Sequence, residues 1–253
     1  MTLQEFFQEN PVVALAFSGG VDSSYLLYEA KNHCKRLGVY TARTAFVPAF
    51  EREDADRLAN ELGVPVTVLE LDPLSVPGAA ANGPDRCYHC KKAVFTAITQ
   101  KAKEDGFPLV IDGTNASDDA SDRPGMRALA ELGVRSPLRE CGITKAQVRK
   151  ASKEAGLFTW DKPAYACLAT RVPTGTPITR ENLARIERGE KALMDLGFSD
   201  FRLRLMGNFA RLQLNEAQIE GAFAARASII AALTGLFEGV ALDLQPRTSS
   251  PEE

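Results

Sequence analysis

Residues 11–24 constrain the fold more than any other stretch of the chain. Pro11-Val12-Val13-Ala14-Leu15-Ala16-Phe17 is an apolar run with no polar alternation, the pattern of a strand buried on both faces in a parallel sheet. It runs directly into Ser18-Gly19-Gly20-Val21-Asp22-Ser23-Ser24. Beyond that, Leu26, Leu27 and Ala30 are spaced for the buried face of a helix. One strand–turn–helix unit of this kind cannot cover both faces of its own strand, so further units must follow.

The first 160 residues supply them. The first helix is expected to stop near Gly38, and residues 39–47 read as a second strand. Residues 51–62 form a charged amphipathic helix closed by Gly63, and 64–71 a third strand. A Pro/Gly/Ala-rich link over 73–84 leads to a helix over 88–103. Leu109-Val110-Ile111 is a fourth strand that delivers Asp112-Gly113-Thr114-Asn115 to the loop after it. Helices are expected over 127–132 and 144–155, the latter with Thr144 as N-cap and Gly156 as its stop. Strands separated by helices in this order predict an α/β fold with a doubly wound parallel sheet.

The pattern changes after Trp160. Residues 162–175, Lys-Pro-Ala-Tyr-Ala-Cys-Leu-Ala-Thr-Arg-Val-Pro-Thr-Gly, are rich in turn formers and lack helical or strand periodicity. They read as a linker or a functional loop. A helix over 180–196, strands over 201–206 and 209–214, a helix over 216–234 and a strand over 238–244 make a small α+β domain. The expected division is 1–160, the α/β domain; 161–178, a cysteine-containing loop; 179–246, the small domain; and 247–253, a frayed tail.

Composition excludes several classes. With 30 Lys and Arg against 33 Asp and Glu, the net charge of −3 disfavours a nucleic-acid binder driven by overall positive charge. The first residues lack the basic start of a secretory signal, and no apolar run reaches the ~18–20 residues of a membrane span. Five cysteines are too few and too odd in number for a disulfide scaffold. A cytoplasmic protein with reduced thiols is expected, in which cysteines serve as ligands, reactive groups or core filler.

The glycine pair carries the first chemical expectation. Without Cβ atoms, Gly19 and Gly20 let the backbone approach an anion, and the helix that follows offers unpaired amides and a positive dipole end. Ser18, Ser23 and Ser24 add hydroxyls. The alternative is a tight strand-to-helix turn with a serine cap. A Walker A loop is excluded, because the Gly-Lys-Ser/Thr ending is absent.

Ser18-Gly19-Gly20-Val21-Asp22-Ser23-Ser24 resembles the PP-loop of the ATP pyrophosphatase superfamily, whose members adenylate a substrate and release pyrophosphate. Further blocks resemble the LarE sulfur transferases: Arg86-Cys87-Tyr88-His89-Cys90-Lys91, Asp112-Gly113-Thr114-Asn115-Ala116-Ser117-Asp118, Asp122-Arg123-Pro124-Gly125, Ser136-Pro137-Leu138, Lys162-Pro163 with Ala166-Cys167-Leu168-Ala169-Thr170-Arg171, and Arg202-Leu203-Arg204. The PP-loop alone specifies the superfamily; the joint set specifies LarE.

The resemblance implies a fold of the PP-loop, adenine nucleotide alpha hydrolase-like type. It also implies an activity in making the nickel-pincer nucleotide cofactor of lactate racemase. ATP and Mg²⁺ would adenylate a carboxylate of pyridinium-3,5-biscarboxylic acid mononucleotide, and sulfur would displace AMP to leave a thiocarboxylate. Ser18, Gly19, Gly20, Asp22, Ser23 and Ser24 would hold the ATP phosphates, with Asp22 toward Mg²⁺. Asp112, Thr114 and Asn115 would lie just past a strand's carboxyl end, where open sheets bind ligands. Asp118 and Asp122 are candidates for metal or ribose, or for turn and cap chemistry. Arg202 and Arg204, alternating on one strand, share a face and would bind the substrate phosphate with Thr170, Arg171 and Glu190. The family usually has Ser where this chain has Thr170; the hydroxyl is retained.

The sulfur source stays open. Cys87, Cys90 and Cys167 would hold a four-iron, four-sulfur cluster with one iron open, or Cys167 would give up its own sulfur and become dehydroalanine. Zinc held with His89, or a redox dithiol, is the further alternative, and Cys34 and Cys141 read as ordinary thiols. A PP-loop tRNA thiolation enzyme and a non-catalytic nucleotide-binding regulator are the competing functions. The expected partner is a small pyridinium mononucleotide, with no nucleic acid or membrane, in a homo-oligomer.

Overall fold

The computed structural model describes residues 1–118, 124–163 and 165–247. The chain divides into two compact units, one of residues 1–79 and 85–162, the other of residues 80–84 and the chain from Pro163 onward.

In chain order, α1 (Leu3–Glu9) is started by a Thr2–Glu5 capping box and leads to β1 (Val12–Ala16), α2 (Val21–His33), β2 (Arg36–Arg43), α3 (Ala49–Glu61) and β3 (Thr67–Glu70). Then come the short α4 (Pro77–Ala80), α5 (Arg86–Glu104), β4 (Val110–Ile111), α6 (Pro124–Glu131), the one-turn α7 (Pro137–Glu140) and α8 (Lys145–Glu154). Thr144 caps α8 and Gln147 completes the capping box.

The first four strands form one sheet in the order β3-β2-β1-β4, all pairs parallel. Ile111 makes one further parallel bridge, to Arg135. The two-residue alternation of β1 distributes its side chains between two layers. Val13, Leu15 and Phe17 enter a core with Phe6, Leu26, Leu27, Leu58 and Val148, from α1, α2, α3 and α8. Ala14 and Ala16 face Ile98 and Ala102 of α5 on the other side. Helices cover both faces, as the uninterrupted apolar run of β1 requires.

The helix expected to run to Gly38 ends at His33, and Gly38 lies inside β2, which occupies 36–43 rather than 39–47. A Cβ at Gly38 would fall 2.6 Å from the Phe107 ring. That glycine serves close packing on a strand, not helix termination.

In the second unit, α9 (Arg180–Asp195) precedes β5 (Arg202–Met206), β6 (Phe209–Gln213), α10 (Glu216–Ala224), α11 (Arg226–Leu233) and β7 (Val240–Leu242). Its sheet has the order β5-β6-β7, antiparallel then parallel. Gly189 lets α9 lie close to the sheet, since a Cβ there would meet Leu203 Cδ2 at 2.5 Å. The single helix expected over 216–234 is broken at Ala225; neither Pro nor Gly marks the break, so helical periodicity ran through it. Residues 80–84, part of the link in the sequence, belong to this unit. Asn82 is buried in a left-handed conformation (φ 55°), and its Nδ2 donates to the carbonyls of Pro173 and Thr176, both at 2.9 Å. Among the described residues, no helix is long and apolar enough to cross a membrane.

Candidate active site

The turn between β1 and α2 holds two glycines with different reasons to be there. Gly19 has φ +79°, and a Cβ on it would sit 2.6 Å from Ala55 Cβ and 3.0 Å from Ala55 Cα. The left-handed backbone and the close approach of α3 both demand glycine. Gly20 has φ −73° and ψ 161°, open to any residue. A Cβ there would meet only Ser18 Oγ, at 3.7 Å. Nothing among the described residues requires Gly20, so the bare backbone there is surface left for something else. Gly20 is the N-cap of α2 and no side chain caps that helix, which leaves its first amides to an external acceptor. Ser23 shapes the turn: its Oγ donates to Gly20 O (3.1 Å), accepts from Ser18 N (3.3 Å) and lies 3.0 Å from Ser18 Oγ. Ser24 is fully buried with no partner for its hydroxyl among the described residues.

The loop after β4 closes over the same helix start. A Cβ on Gly113 would fall 2.7 Å from Ser23 N, so this glycine too is fixed by packing. Asn115 donates from Nδ2 to Asp22 Oδ1 (3.2 Å), while Lys145 Nζ lies 2.7 Å from Asp22 Oδ2. Burial raises the Asp22 pKa more than Lys145 lowers it. Asp112 accepts from Thr114 Oγ1 and Ser136 Oγ, both at 2.6 Å, and so staples the loop to residue 136. Asp118 accepts from Asn115 N at 3.1 Å, and its carbonyl receives Arg139. Asp122 lies outside the described residues.

Sequence reasoning missed Lys145. The trace it leaves is a lysine at the first position of α8, where the helix dipole disfavours a cation; it stands there because Asp22 faces it. Also missed was the trio at the start of α3. Lys162 Nζ lies 3.0 Å from Glu51 Oε2 and 2.6 Å from Asp54 Oδ2, and burial raises the Glu51 pKa. Asp54 adjoins Ala55, the residue that touches Gly19, so the trio lies one residue along α3 from the turn.

Cys87 and Cys90 occupy the first turns of α5, three residues apart and therefore on one side of the helix. Arg86 donates to Cys87 Sγ at 3.5 Å. The His89 ring lies against Gly78, where a Cβ would be 2.4 Å from it. None of the five cysteines is in a disulfide. Among the described residues no group of three or more His, Cys, Asp or Glu side chains is gathered for a metal ion. Cys87 and Cys90 belong to the first unit and Cys167 to the second, so neither unit alone assembles a three-thiolate set. Cys34 follows the end of α2, and burial pushes its thiol up to about 12. Burial also raises Cys141.

In the second unit, Cys167 is exposed at the head of a 3₁₀ turn, Leu168–Arg171. Arg171 is wholly buried within that turn. It donates to both oxygens of Glu190 (2.8 and 3.2 Å) and to Ala166 O (2.7 Å), Cys167 O (3.4 Å) and Thr170 Oγ1 (2.9 Å). Glu190 also accepts from Leu203 N at 2.9 Å and from Tyr165 OH. With its oxygens so engaged, Glu190 anchors Arg171. Burial raises its pKa to about 7, and burial with the neighbouring Arg202 and Arg204 lowers Arg171 to about 9.

Arg204 donates to Thr170 O at 2.7 Å and Arg202 to Phe201 O at 2.7 Å. Leu203 and Leu205 are buried on the opposite side of β5. Arg204 thereby ties the arginine face of the sheet to the Cys167 turn. Arg247, expected to start a frayed tail, is instead held: its N–H donates to Leu214 O at 2.8 Å, and its guanidinium pairs with Asp200. Residues 248–253 lie outside the described residues.

A parallel α/β sheet whose first strand ends in this glycine turn, in a chain that also carries a separate small sheet, marks an enzyme of the PP-loop type, the class that uses ATP and Mg²⁺. The chain is 38% identical over 210 residues, 82% of its length and 76% of the relative's, to the pyridinium-3,5-bisthiocarboxylic acid mononucleotide synthase of Lactiplantibacillus plantarum. It is likewise 38% identical over 221 residues to an uncharacterized protein of Synechocystis, covering 86% of this chain and 82% of that one. A tRNA-specific 2-thiouridylase of Clostridium botulinum is 26% identical over 70% of this chain and 60% of its own. No family model matches. The chain belongs to the LarE family and is an ATP-dependent sulfur transferase.

Proposed function

We propose that this protein adenylates a carboxylate of pyridinium-3,5-biscarboxylic acid mononucleotide and replaces AMP with sulfur, a reading supported by its similarity to the pyridinium-3,5-bisthiocarboxylic acid mononucleotide synthase of L. plantarum. The observation that carries this reading is the tie between the exposed Cys167 turn and a face of guanidiniums, through Arg171 and Arg204. The proposed sulfur carrier and the proposed binding site for a phosphate monoester share one small piece of structure.

In the first step a substrate carboxylate oxygen attacks the ATP α-phosphorus and pyrophosphate leaves. The α2 amides beyond Gly20 are suited to hold the departing phosphates. Both Asp22 oxygens are engaged, one by the Lys145 cation and one by the Asn115 amide. Asp22 would take Mg²⁺ in place of the Lys145 cation, and the metal would supply charge neutralisation on the phosphates. Asp112 and Thr114 hold the adjoining loop in place, and Arg202 and Arg204, with Thr170 and Arg171 beside them, hold the substrate phosphate. In the second step a sulfur nucleophile attacks the acyl carbon and expels AMP.

For the sulfur donor we propose the set Cys87, Cys90 and Cys167. Soft thiolates suit a four-iron, four-sulfur cluster, whose open iron would supply a bound sulfide. Cys87 and Cys90 lie in one unit and Cys167 in the other. The exposure of Cys167 favours a second reading. Its thiolate takes the acyl group as a thioester. Loss of the Cα proton with cleavage of Cβ–S then releases the thiocarboxylate and leaves dehydroalanine.

Anaerobic purification with iron and sulfide analysis, followed by intact mass after turnover with ATP and the mononucleotide, separates these. A chain lighter by one H₂S establishes sacrifice; bound iron with unchanged mass establishes the cluster. If tRNA is thiolated at the expense of ATP while the mononucleotide is not consumed, the substrate assignment is wrong. We further propose that the product serves the nickel-pincer cofactor of lactate racemase and that the enzyme acts in the cytoplasm, where thiols stay reduced. We also propose that it self-associates, supported by Phe223 and Ile230, which are 54% and 60% exposed.

A further inference from the structure

The anion site of the second unit has more charge than the Arg-Leu-Arg pattern of β5 accounts for. Arg171, Arg202, Arg204, Arg211 and Arg247 interact electrostatically there, against the carboxylates of Glu190, Asp200 and Asp243. A surplus of guanidinium charge in a partly buried patch is stabilised by a dianion, and a phosphate monoester carries about −2 above pH ~6.

Arg247 is the last of the described residues, yet three hydrogen bonds hold it. Its N–H is tied to Leu214 O at 2.8 Å, just past β6, and its NH1 donates to Asp200 O at 3.0 Å and to the Asp200 carboxylate. Asp200 has φ 46°, a left-handed backbone uncommon for a residue with a side chain. It stands two residues before Arg202, whose NH1 is 3.9 Å from the same Asp200 Oδ1. One carboxylate thus bridges two guanidiniums, and the bridge sits on a turn that Arg247 clamps from both its backbone and side-chain oxygens. The charge of Arg247 is felt at Arg171, Arg202 and Arg204 alike.

We propose that Arg247 is a positioning residue of the phosphate site: by clamping Asp200 it sets Arg202 for a phosphate monoester and adds to the field that holds it. This rests on the reading of Arg202 and Arg204 as the substrate-phosphate ligands.

The test titrates inorganic phosphate into the full-length protein by calorimetry and measures KM for the mononucleotide and for ATP separately. In Arg247→Ala, phosphate affinity is expected to fall about five- to ten-fold and the mononucleotide KM to rise by the same factor. KM for ATP and kcat stay unchanged. Arg247→Lys, which can still pair with Asp200, recovers part of the loss. Unchanged phosphate affinity in Arg247→Ala overturns the proposal. So does a parallel loss of ATP and phosphate binding with a lowered melting temperature, which marks a general stabilising role. If Arg204→Ala also leaves phosphate affinity and the mononucleotide KM untouched, the arginine reading itself has failed.

Discussion

Gly19→Ala and Gly20→Ala, adjacent and chemically identical substitutions, are expected to separate folding from ligand binding. At Gly19 the methyl group meets Ala55 Cβ at 2.6 Å and the α3 backbone at 3.0 Å, on a residue with φ +79°. The left-handed conformation costs about 1–2 kcal/mol, and displacing a packed helix costs about 1–3 kcal/mol more. The expected destabilisation is therefore about 2–5 kcal/mol. At Gly20 the backbone is already extended, and the methyl's nearest neighbour is Ser18 Oγ at 3.7 Å. The reduced freedom of the unfolded chain favours alanine by about 0.4–1 kcal/mol, while alanine is a poorer N-cap by a comparable few tenths to 1 kcal/mol. Stability should stay within about 0.5 kcal/mol of the parent. A methyl over the α2 amides keeps a phosphate from closing on them, so pyrophosphate release should drop by at least about ten-fold, the loss of one charge-assisted hydrogen bond. Urea denaturation and a pyrophosphate-coupled assay on both variants are sufficient. A Gly20→Ala protein that releases pyrophosphate at the parent rate with the parent's KM for ATP refutes the cradle. A Gly19→Ala protein as stable as the parent refutes the packing account.

Lys162→Met leaves Glu51 and Asp54 facing each other without their cation. Since Glu51 is buried and Asp54 partly exposed, the loss should be about 2–3 kcal/mol in urea denaturation at pH 7, below the 3–5 kcal/mol of a fully buried pair; Glu51→Gln in the same chain should recover part of it, and a loss under about 1 kcal/mol contradicts the burial argument. Glu190 has a folded pKa of about 7 against an ordinary 4.5. The folded state therefore binds the extra proton, and the group's contribution to stability is present below pH ~4.5 and lost as pH rises through ~7. The stability difference between the parent and Glu190→Gln should shift against the parent between pH 5 and 8; the opposite slope means that the surrounding arginines outweigh burial.

Local sequence determined much of this protein. The apolar run of β1, the Thr144 cap of α8 and the glycine turn depend on neighbours a few residues away, so their patterns are visible in the chain itself. Some boundaries were not visible, because a glycine looks the same whether it ends a helix or makes room for a ring: Gly38 lies in a strand on account of Phe107, sixty-nine residues further on. The loops of the candidate site were legible as motifs, yet the motifs did not distinguish Gly19 and Gly113, required by packing, from Gly20, which packing leaves unexplained.

Tertiary structure alone decided the partners of the charges. Lys145 meets Asp22 across 123 residues, Lys162 meets Glu51 across 111, and Arg247 meets Asp200 across 47. No periodicity encodes such pairs, because an ion pair needs only that the folded backbone bring two side chains within a few ångströms. The sequence by itself determined which chemical groups the site possesses, since the glycine turn, the thiols and the Arg-Leu-Arg strand are written locally. Their anchoring and electrostatic setting were decided by the fold, because burial and opposing charge are properties of the packed molecule and not of the chain.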